Sequence, residues 1–243
     1  MWKSLAMYGA HIRQGQLTLI VAASGVGKSS LVTFAAMAMR NPDDEPIRTL
    51  YFSADSDITT FAIRAGAMAT SYSTQEAEQK ILQRDPEILD EIQQATSHIW
   101  ISFDNSPSCK DISDEVEAYA LVKGDYPELI IIDNLMDVRT GMDERAGQDA
   151  VLDYLKQLAG KTQAAVVVLC HAVGEYANGK TPIPLSGIMN KLDKRPRLIL
   201  TLFEADVTLL GVAIVKNNNG KRDADGNLQI HIPWIKEKMW LGT

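Results

Sequence analysis

The chain has 243 residues, of which 46% are apolar and 23% charged, and its net charge at pH 7 is −7. This composition excludes collagen, coiled coil and wholesale disorder, and the acidic balance argues against a basic surface that coats nucleic acid. The longest apolar stretches, Leu17–Ala23 and Ala164–Cys170, are far shorter than the ~20 residues of a membrane-spanning helix. We therefore expect a cytoplasmic protein without membrane contact, whose two distant cysteines stay reduced.

Short segments rich in β-branched residues alternate with amphipathic ones, which is typical of βαβ units on a mostly parallel sheet. The predicted strands are Leu17–Ala23, Thr49–Ser53, His98–Phe103, Leu129–Asp133, Ala164–Cys170, Leu198–Phe203, Leu210–Lys216 and Leu228–Ile232. The predicted helices are Lys28–Arg40, Ile58–Thr70, Gln75–Gln94, Ile112–Lys123 and Gln148–Gly160. We expect one α/β domain over 1–243, with helices on both faces, a lead-in segment 1–16 and an antiparallel hairpin within 197–243.

The segment Ala22-Ala23-Ser24-Gly25-Val26-Gly27-Lys28-Ser29 follows a predicted strand and begins a predicted helix, which is the context of a phosphate-binding P-loop. Its backbone N–H groups and the helix N-terminus are expected to surround the phosphates of ATP. Lys28 is predicted to reach the β- and γ-phosphates, and the Ser29 hydroxyl to bind Mg²⁺. The predicted nucleotide contacts are Ala23, Ser24, Gly25, Val26, Gly27, Lys28, Ser29 and Ser30. Ala22 replaces the first glycine of the motif, but its backbone can still donate.

Three further polar side chains follow predicted strands and are expected at the same edge of the sheet as the P-loop. Asp133 ends an apolar strand and is predicted to hold Mg²⁺ together with Ser29. Asp55 is predicted to orient or deprotonate the attacking water, and the nearby Asp57 to cap the following helix. His171 is predicted either to sense the γ-phosphate or to be an ordinary hydrogen-bonding residue at a strand end.

Taken in order, these segments resemble the RecA-like ATPase core of DnaB-like hexameric replicative helicases and their phage relatives. The resemblance extends over nearly the whole chain and is carried by Arg13–Leu19, Tyr51–Asp55, Leu129–Leu135, Val168–His171, Ser186–Ile188 and Val215–Gly220. It implies a RecA-like fold, ATP and Mg²⁺ as cofactors, and a motor core without the extra N-terminal domain of many members. It also implies a phage-type protein in the host cytoplasm that forms a homo-oligomer, expected to be a hexameric ring.

The same resemblance implies single-stranded or branched DNA as the partner, bound in a central channel. The channel would be lined by two polar stretches, Thr140–Gly147 and Val173–Pro184, which the sequence predicts to be mobile loops.

The chain departs from the family pattern near its C-terminus. The family carries a lysine and, two residues later, an arginine that both reach into the neighbouring subunit's site. Lys216 matches the lysine and is predicted to be catalytic, but Asn218 stands where the arginine would be. An asparagine cannot supply the positive charge that stabilises the transferring phosphate. Either Lys221 or Arg222 replaces it, or hydrolysis is slow.

Two other functions stay open at this point. Five aspartates follow predicted strand ends, and their convergence on two metal ions would favour a divalent-metal DNA nuclease on the same fold. These aspartates are Asp55, Asp57, Asp104, Asp133 and Asp137. A nucleotide-switched regulator that does not bind DNA is the second alternative.

Overall fold

The computed structural model describes residues 3–242. The strands are β1 (Leu17–Ala22), β2 (Thr49–Ser53), β3 (Ile99–Ser102), β4 (Leu129–Asp133), β5 (Ala165–His171), β6 (Leu198–Asp206), β7 (Leu209–Asn217), β8 (Gln229–Ile235) and β9 (Trp240–Leu241). The α-helices are α1 (Lys3–Ala6), α2 (Lys28–Ala38), α3 (Ile58–Ala69), α4 (Thr74–Leu82), α5 (Pro86–Thr96), α6 (Cys109–Lys123) and α7 (Glu144–Thr162). Short 3₁₀ helices cover Leu135–Asp137, Gly174–Tyr176, Leu185–Gly187, Met189–Lys194 and Lys236–Lys238.

The nine strands form one sheet in the order β3-β2-β4-β5-β1-β6-β7-β8-β9. The first six in this order pair in parallel, and β6 then pairs antiparallel with β7, which begins the antiparallel C-terminal part. Because β1 is the fifth of the nine strands in this order and pairs with β5 and β6, the segment that follows it is flanked by the ends of those two strands. This order brings the P-loop to the centre of one sheet edge.

Alternate side chains of each buried strand enter one of two hydrophobic cores, one on each face of the sheet. On one face, Ile20 and Ile131 pack with residues of α2 and α3 such as Leu31 and Phe61. On the opposite face, strand residues such as Leu19 and Ile130 pack with α6 and α7. Helices therefore cover both faces, which explains why the central strands are continuously apolar.

The predicted fold class is confirmed, and the strand boundaries differ from the expected ones by a few residues. The predicted helix Gln75–Gln94 is wrong, because it is two helices separated at Asp85-Pro86. Asp85 caps α5 through the Glu87 N–H, and proline is well tolerated at the first position of a helix. The short strand β9 was not predicted. Half of the expected loop Thr140–Gly147 is helical, since α7 already begins after its cap residue, Asp143.

No helix within residues 3–242 is both long enough and apolar enough to cross a lipid bilayer.

Candidate functional site

The ends of four parallel strands bring the predicted site residues to one edge of the sheet. In the strand register, Ala22 at the end of β1 is level with His171 at the end of β5. Ser53 at the end of β2 is level with Asp133 at the end of β4. Asp55 follows β2 by two residues and therefore lies at the same edge. We call this the carboxyl edge of the sheet.

The P-loop connects β1 to the N-terminus of α2. Gly27 occupies the N-cap position with φ at 103°, a left-handed conformation that favours glycine. A Cβ atom at this position would also meet the indole of Trp234 at 2.7 Å, so Gly27 is required for packing as well. Within the described chain, no side chain caps α2, and its first N–H groups stay directed at the space in front of the loop.

Lys28 is buried, and its ammonium group bonds within its own chain. The Nζ atom donates to the carbonyl oxygens of Ala22 and Ala23, each at 3.0 Å, and lies 3.1 Å from Nδ1 of His171. Burial lowers the pKa of Lys28 below its ordinary value, while the carboxylates of Asp133 and Asp55 act in the opposite direction. The lysine charge is thus held at the end of β1, between the P-loop and β5.

The contact with Lys28 fixes the protonation of His171. An ammonium group can only donate, so Nδ1 of His171 must accept, and the ring proton resides on Nε2. Burial and the Lys28 charge both lower the pKa of His171, which keeps the ring neutral near pH 7. Nε2 faces Oδ2 of Asp55 at 3.8 Å. The neutral histidine therefore lies between the P-loop lysine and Asp55.

Asp133 lies beneath the start of α2 and is 2% exposed. Its carboxylate hydrogen-bonds the Ser29 hydroxyl and accepts from the Tyr51 hydroxyl at 3.0 Å, and Thr33 donates to that phenol oxygen at 3.4 Å. Burial raises the pKa of Asp133, against the effect of these hydrogen bonds and of Lys28. Carboxylate and hydroxyl oxygens are the ligand types that Mg²⁺ prefers, and a cation would offset the cost of burying this carboxylate. The donor set fits Mg²⁺.

A cavity of about 160 Å³ opens in front of the P-loop. Its lining consists of Ser24, Gly25, Gly27, Lys28, Ser29, Ser30, Asp55, Ser56, Arg64 and His171. Of the other residues predicted for the site, Ala23 and Val26 belong to the P-loop but have buried side chains. Asp133 is also buried and hydrogen-bonds the Ser29 side chain. Ser56 and Arg64 also line the cavity, although neither was predicted to do so.

Lys216 lies toward the opposite edge of the sheet. It is level with Ile199 of β6, which is level with Leu19 of β1. This places it three residues, about 10 Å, before the end of β1, and two strands to the side. Its Nζ atom donates to the backbone oxygen of Asp193 at 2.5 Å. The structure therefore does not bring Lys216 to the cavity of its own chain.

Several of the aspartates that the nuclease hypothesis invokes have local structural partners. Asp57 accepts from the Thr60 N–H at 2.8 Å and caps α3, as predicted, and Asp104 accepts from the Ser106 N–H at 3.0 Å. Within residues 3–242, no three His, Cys, Asp or Glu side chains are grouped closely enough to hold a metal ion. These contacts account for two of the five aspartates by turn and helix capping alone.

The stretch Val173–Pro184, predicted to be a mobile loop, packs over the P-loop. A Cβ atom at Gly179 would lie 2.4 Å from a Val26 methyl group, so the Gly179 backbone lies directly against the Val26 side chain. The Glu204 N–H donates to the Gly179 oxygen at 2.7 Å, and the Glu204 carboxylate pairs with Lys180 and Lys236. Lys236 in turn lies over the Trp234 ring, 4.9 Å from its centroid.

The supporting residues carry only weak signals in the sequence. Tyr51 precedes the predicted Asp55 motif on an apolar strand, where a tyrosine is an ordinary core residue. Trp234 continues the alternating pattern of buried residues in β8, which indicates burial but not contact with the P-loop. Arg64 is one arginine on an amphipathic helix. Its place in the cavity depends on how α3 packs on the sheet.

Comparisons with known proteins agree with this geometry. Residues 4–174 match the AAA domain family. The Gene 65 protein of Mycobacterium phage L5 is 36% identical over 98% of this chain and 90% of its own length. The Gene 65 protein of Mycobacterium phage D29 is 34% identical over 92% of this chain and 97% of its own length.

Two solved structures share the fold at 16% sequence identity. One is an isolated ATPase domain, which superposes with a TM-score of 0.79, covering 99% of this chain and 89% of that one. The other is a DnaB-like replicative helicase, solved in a study of its interactions with primase, which also gives a TM-score of 0.79 over 99% of this chain and 60% of its own. The chain belongs to the AAA domain family and has the RecA-like fold of a DnaB-type helicase core.

Proposed function

We propose that the protein is an Mg²⁺-dependent P-loop ATPase that acts on single-stranded or branched DNA as a helicase-like ring. The observation that carries this proposal is the convergence of Lys28, His171 and Asp55 on one cavity in front of an uncapped helix N-terminus. A triphosphate matches this arrangement, because the helix end, the P-loop N–H groups and Lys28 all favour anions. The phage relatives fit an enzyme that works in the host cytoplasm.

Lys28 would hold the phosphates, and the pair Ser29 and Asp133 would hold the metal ion. Lys28 would leave the carbonyl oxygens of Ala22 and Ala23 and donate to phosphate oxygens instead. Ser29 and Asp133 would hold Mg²⁺, and Tyr51 would keep the Asp133 carboxylate oriented toward it. What Mg²⁺ supplies there is neutralisation of charge on the phosphate oxygens.

The water that attacks the phosphate would be oriented by Asp55. Its side chain is 55% exposed, so both a water molecule and a phosphate can approach it. The neutral His171 can donate from Nε2 to the γ-phosphate or to Asp55, and accept from Lys28 at the same time. Loss of the γ-phosphate would therefore change the partners of His171, which lies two residues before the segment Val173–Pro184 over the P-loop.

We propose a ring assembly because Lys216 lies away from its own cavity while belonging to the motif that in the family reaches a neighbour. Arg222 and Arg197 add their charge near Lys216 and could serve the same interface.

Few cations lie in the two stretches that are proposed to line the DNA channel. Arg139 lies beside Thr140–Gly147, Arg145 lies within it, and Lys180 lies within Val173–Pro184. Arg139 lies 3.6 Å from Asp111 and Lys180 pairs with Glu204. We therefore expect modest, strongly salt-dependent DNA affinity.

The test is ATP turnover at several protein concentrations, with and without single-stranded DNA, for the wild type and Lys28→Ala. We expect turnover per subunit to rise with concentration and with DNA, and Lys28→Ala to lower it at least ~100-fold by removing the charge on the β- and γ-phosphates. Lys110→Ala is the matched control, since Lys110 is exposed and pairs only with Asp114 one turn along α6. It should behave as wild type.

Turnover by Lys28→Ala equal to that of the control would reject the P-loop assignment. Hydrolysis that neither DNA nor protein concentration changes would reject the DNA-acting ring and favour the nucleotide-switched regulator. DNA cleavage that needs a divalent metal but not ATP would favour the nuclease.

A further inference from the structure

The loop after β7, which carries the residues expected at a subunit interface, is held by the start of the chain. The residues of this loop, 218–222, are all exposed, so burial of their side chains does not fix its position. Its backbone and side chains bond to the lead-in segment instead. The Lys221 N–H donates to the Tyr8 oxygen at 2.9 Å, and the Asn219 side-chain amide donates to Oε1 of Gln16 at 3.0 Å.

Two glycines allow the backbones of the lead-in segment and the loop to touch. Gly9 has φ at +69°, a left-handed conformation that favours glycine. A Cβ atom on Gly9 would lie 3.2 Å from the Asn219 oxygen and 3.2 Å from Cα of Gly220. A Cβ atom on Gly220 would lie 2.3 Å from the Tyr8 oxygen. A larger side chain at either position would therefore push the lead-in segment and the loop apart.

A buried amide joins the same two segments. Asn217, the last residue of β7, is 4% exposed. Its Nδ2 atom donates to the Tyr8 oxygen and to the Lys221 oxygen, each at 3.3 Å, and its Oδ1 atom accepts from the Asn219 N–H at 3.0 Å. Because a buried amide that loses its partners is costly, these bonds favour one position of the loop relative to the lead-in segment.

The lead-in segment is in turn attached to the elements that form the nucleotide site. Leu5 and Ala10 are buried in the hydrophobic core that includes Leu31 of α2, the helix that follows the P-loop. The Gly15 N–H donates to the Ala164 oxygen at 3.1 Å, directly before β5. The lead-in segment therefore connects the scaffold of a subunit's own P-loop to the loop 218–222.

We propose that Tyr8 and Gly9 are positioning residues, which hold Lys216 and the loop 218–222 where a neighbouring subunit's nucleotide requires them. The Tyr8 oxygen accepts from the loop and from Asn217, Gly9 permits the close approach, and neither residue touches a nucleotide. A misplacement of about 1 Å in a group that acts on the reacting phosphate costs up to ~100-fold in rate. This inference rests on the proposed function, because the loop has a catalytic role only if the subunits form a ring.

The experiment measures turnover at saturating ATP and the dissociation constant of ATPγS with Mg²⁺ for the wild type and Gly9→Val. Gly9→Val should lower turnover about tenfold, because a β-branched residue resists a positive φ and its side chain displaces the loop. ATPγS should bind within about threefold of the wild type, since the subunit's own P-loop is unchanged. Gly9→Asn should lose less turnover, because asparagine tolerates the left-handed conformation better.

Gly124→Val is the matched control for backbone strain. Gly124 ends α6 with φ at +80°, and a Cβ atom there would meet no atom within 4 Å. The substitution therefore introduces a similar strain without displacing the loop, and its turnover should match the wild type.

Mixed rings show which nucleotide the contact serves. A Gly9→Val subunit keeps its P-loop, and a Lys28→Ala neighbour keeps the loop, so this mixture should exceed the mean turnover of the two separate preparations. A mixture of Gly9→Val with Lys216→Ala should stay at the mean, because both variants fail to serve the neighbour. A gain with Lys216→Ala and none with Lys28→Ala would overturn the proposal, since the contact would then serve the subunit's own site.

A second variant keeps the proposal testable if circular dichroism shows that Gly9→Val does not fold. Asn217→Asp keeps the acceptor for the Asn219 N–H but loses the amide that donates to the Tyr8 oxygen. It should show the same split, with lower turnover and nearly unchanged ATPγS binding. Turnover equal to that of the wild type in either folded variant, or an equal loss of turnover and ATPγS binding, would overturn the proposal.

A mixture of Lys28→Ala with Lys216→Ala separates failure of this inference from failure of the proposed function. If these two variants complement each other, a negative result for Gly9→Val rejects only the positioning role of Tyr8 and Gly9. If they do not complement each other, the ring is rejected and the positioning role is rejected with it.

Discussion

The two lysines predicted to be catalytic, at opposite ends of the strands of the sheet, differ in burial and in hydrogen-bond partners. At the carboxyl edge, Lys28 is buried and bonds to two carbonyl oxygens and to His171 of the same chain. Toward the opposite edge, Lys216 is half-buried and donates to one carbonyl oxygen, that of Asp193. Burial lowers the pKa of Lys216, Asp193 raises it, and the positive charges of Arg222 and Arg197 lower it further.

This difference indicates where each cation is used. Lys28 already has the environment of a phosphate-binding group within one chain. Arg222 and Arg197 each lie close enough to Lys216 to lower its pKa, against the opposite effect of Asp193, and an incoming anion would offset this repulsion. The strand register keeps Lys216 about 10 Å before the end of β1 and therefore away from its own cavity. This position fits the proposed ring, in which the anion that Lys216 serves would belong to another subunit and a complete site would span two chains.

The largest effect is expected from mixing two inactive variants, which tests whether Lys28 and Lys216 serve one site from different chains. Lys28→Ala and Lys216→Ala are each expected to lose most turnover, the first at least ~100-fold and the second about tenfold or more. In mixed rings, a Lys216→Ala subunit keeps its P-loop, and a Lys28→Ala neighbour offers Lys216. About a quarter of the interfaces in an equal, random mixture are then intact, and turnover should recover in proportion. ATP turnover against mixing ratio is the measurement.

A mixture that stays inactive at every ratio would contradict the two-chain site, provided that light scattering shows mixed oligomers. A monomeric mass in the presence of ATP and DNA would contradict the ring itself. As a control, two Lys28→Ala preparations mixed together should regain nothing.

A smaller effect is expected from restoring the arginine of the family pattern. Asn218 is exposed, and its backbone N–H donates to the Arg197 oxygen at 3.0 Å, next to the positive cluster. An arginine finger in related enzymes is worth about 10³–10⁵ in rate, so Asn218→Arg should raise turnover about tenfold even when imperfectly placed. Gln93→Arg adds the same charge at an exposed position of α5 and should have no effect.

If Asn218→Arg leaves turnover unchanged, Arg222 or Lys221 already provides the charge across the interface. Arg222→Ala or Lys221→Ala would then be the damaging substitution. Turnover that is unchanged in Asn218→Arg, Arg222→Ala and Lys221→Ala alike would show that this end of the strands does not face a nucleotide.

The sequence indicated the residues of the P-loop and the strand ends, but not the more distant residues that pack against them. Strong local patterns identified the P-loop and Asp133, because apolar strands, glycines and a strand-end carboxylate are all neighbours in sequence. Tyr51, Trp234 and Arg64 reach the site only through the packing of elements that are distant in sequence. Single-residue patterns cannot distinguish such residues from an ordinary core tyrosine, a strand tryptophan or a surface arginine.

The same reasoning explains the wrongly predicted long helix and the unforeseen packing of Val173–Pro184. The apolar spacing of Gln75–Gln94 is compatible with one long helix, and only the capping aspartate and proline at Asp85-Pro86 divide it. The stretch Val173–Pro184 is polar and rich in turn residues, which is typical of a mobile loop. Its attachment to the P-loop through Gly179 depends on a close approach to Val26 that no local pattern reveals.

The smallest expected effect concerns the attachment of that stretch at the carboxyl edge. Hydrogen bonds from Lys180 and Lys236 lower the pKa of the Glu204 carboxyl below its ordinary value of 4.5. A carboxyl group whose pKa is lower in the folded state contributes stability above pH 4.5, and this contribution is lost as the pH falls through the folded value. Glu204→Gln should therefore lower stability near pH 7 by about 0.5–1 kcal/mol, a modest value because both lysines are partly exposed.

Thermal melts of wild type and Glu204→Gln from pH 7 down to pH 3 measure this contribution. The difference in melting temperature should be about 1–4 °C at pH 7 and vanish at the acid end. Glu237→Gln makes the same charge change at an exposed site next to Lys236 in sequence, and should show no such pH dependence. A Glu204→Gln difference that persists unchanged at pH 3 would mean that the carboxylate does not hold the stretch over the P-loop by charge. The stretch would then be held over the P-loop by the Glu204–Gly179 backbone hydrogen bond and the Gly179–Val26 contact, neither of which depends on the charge of Glu204.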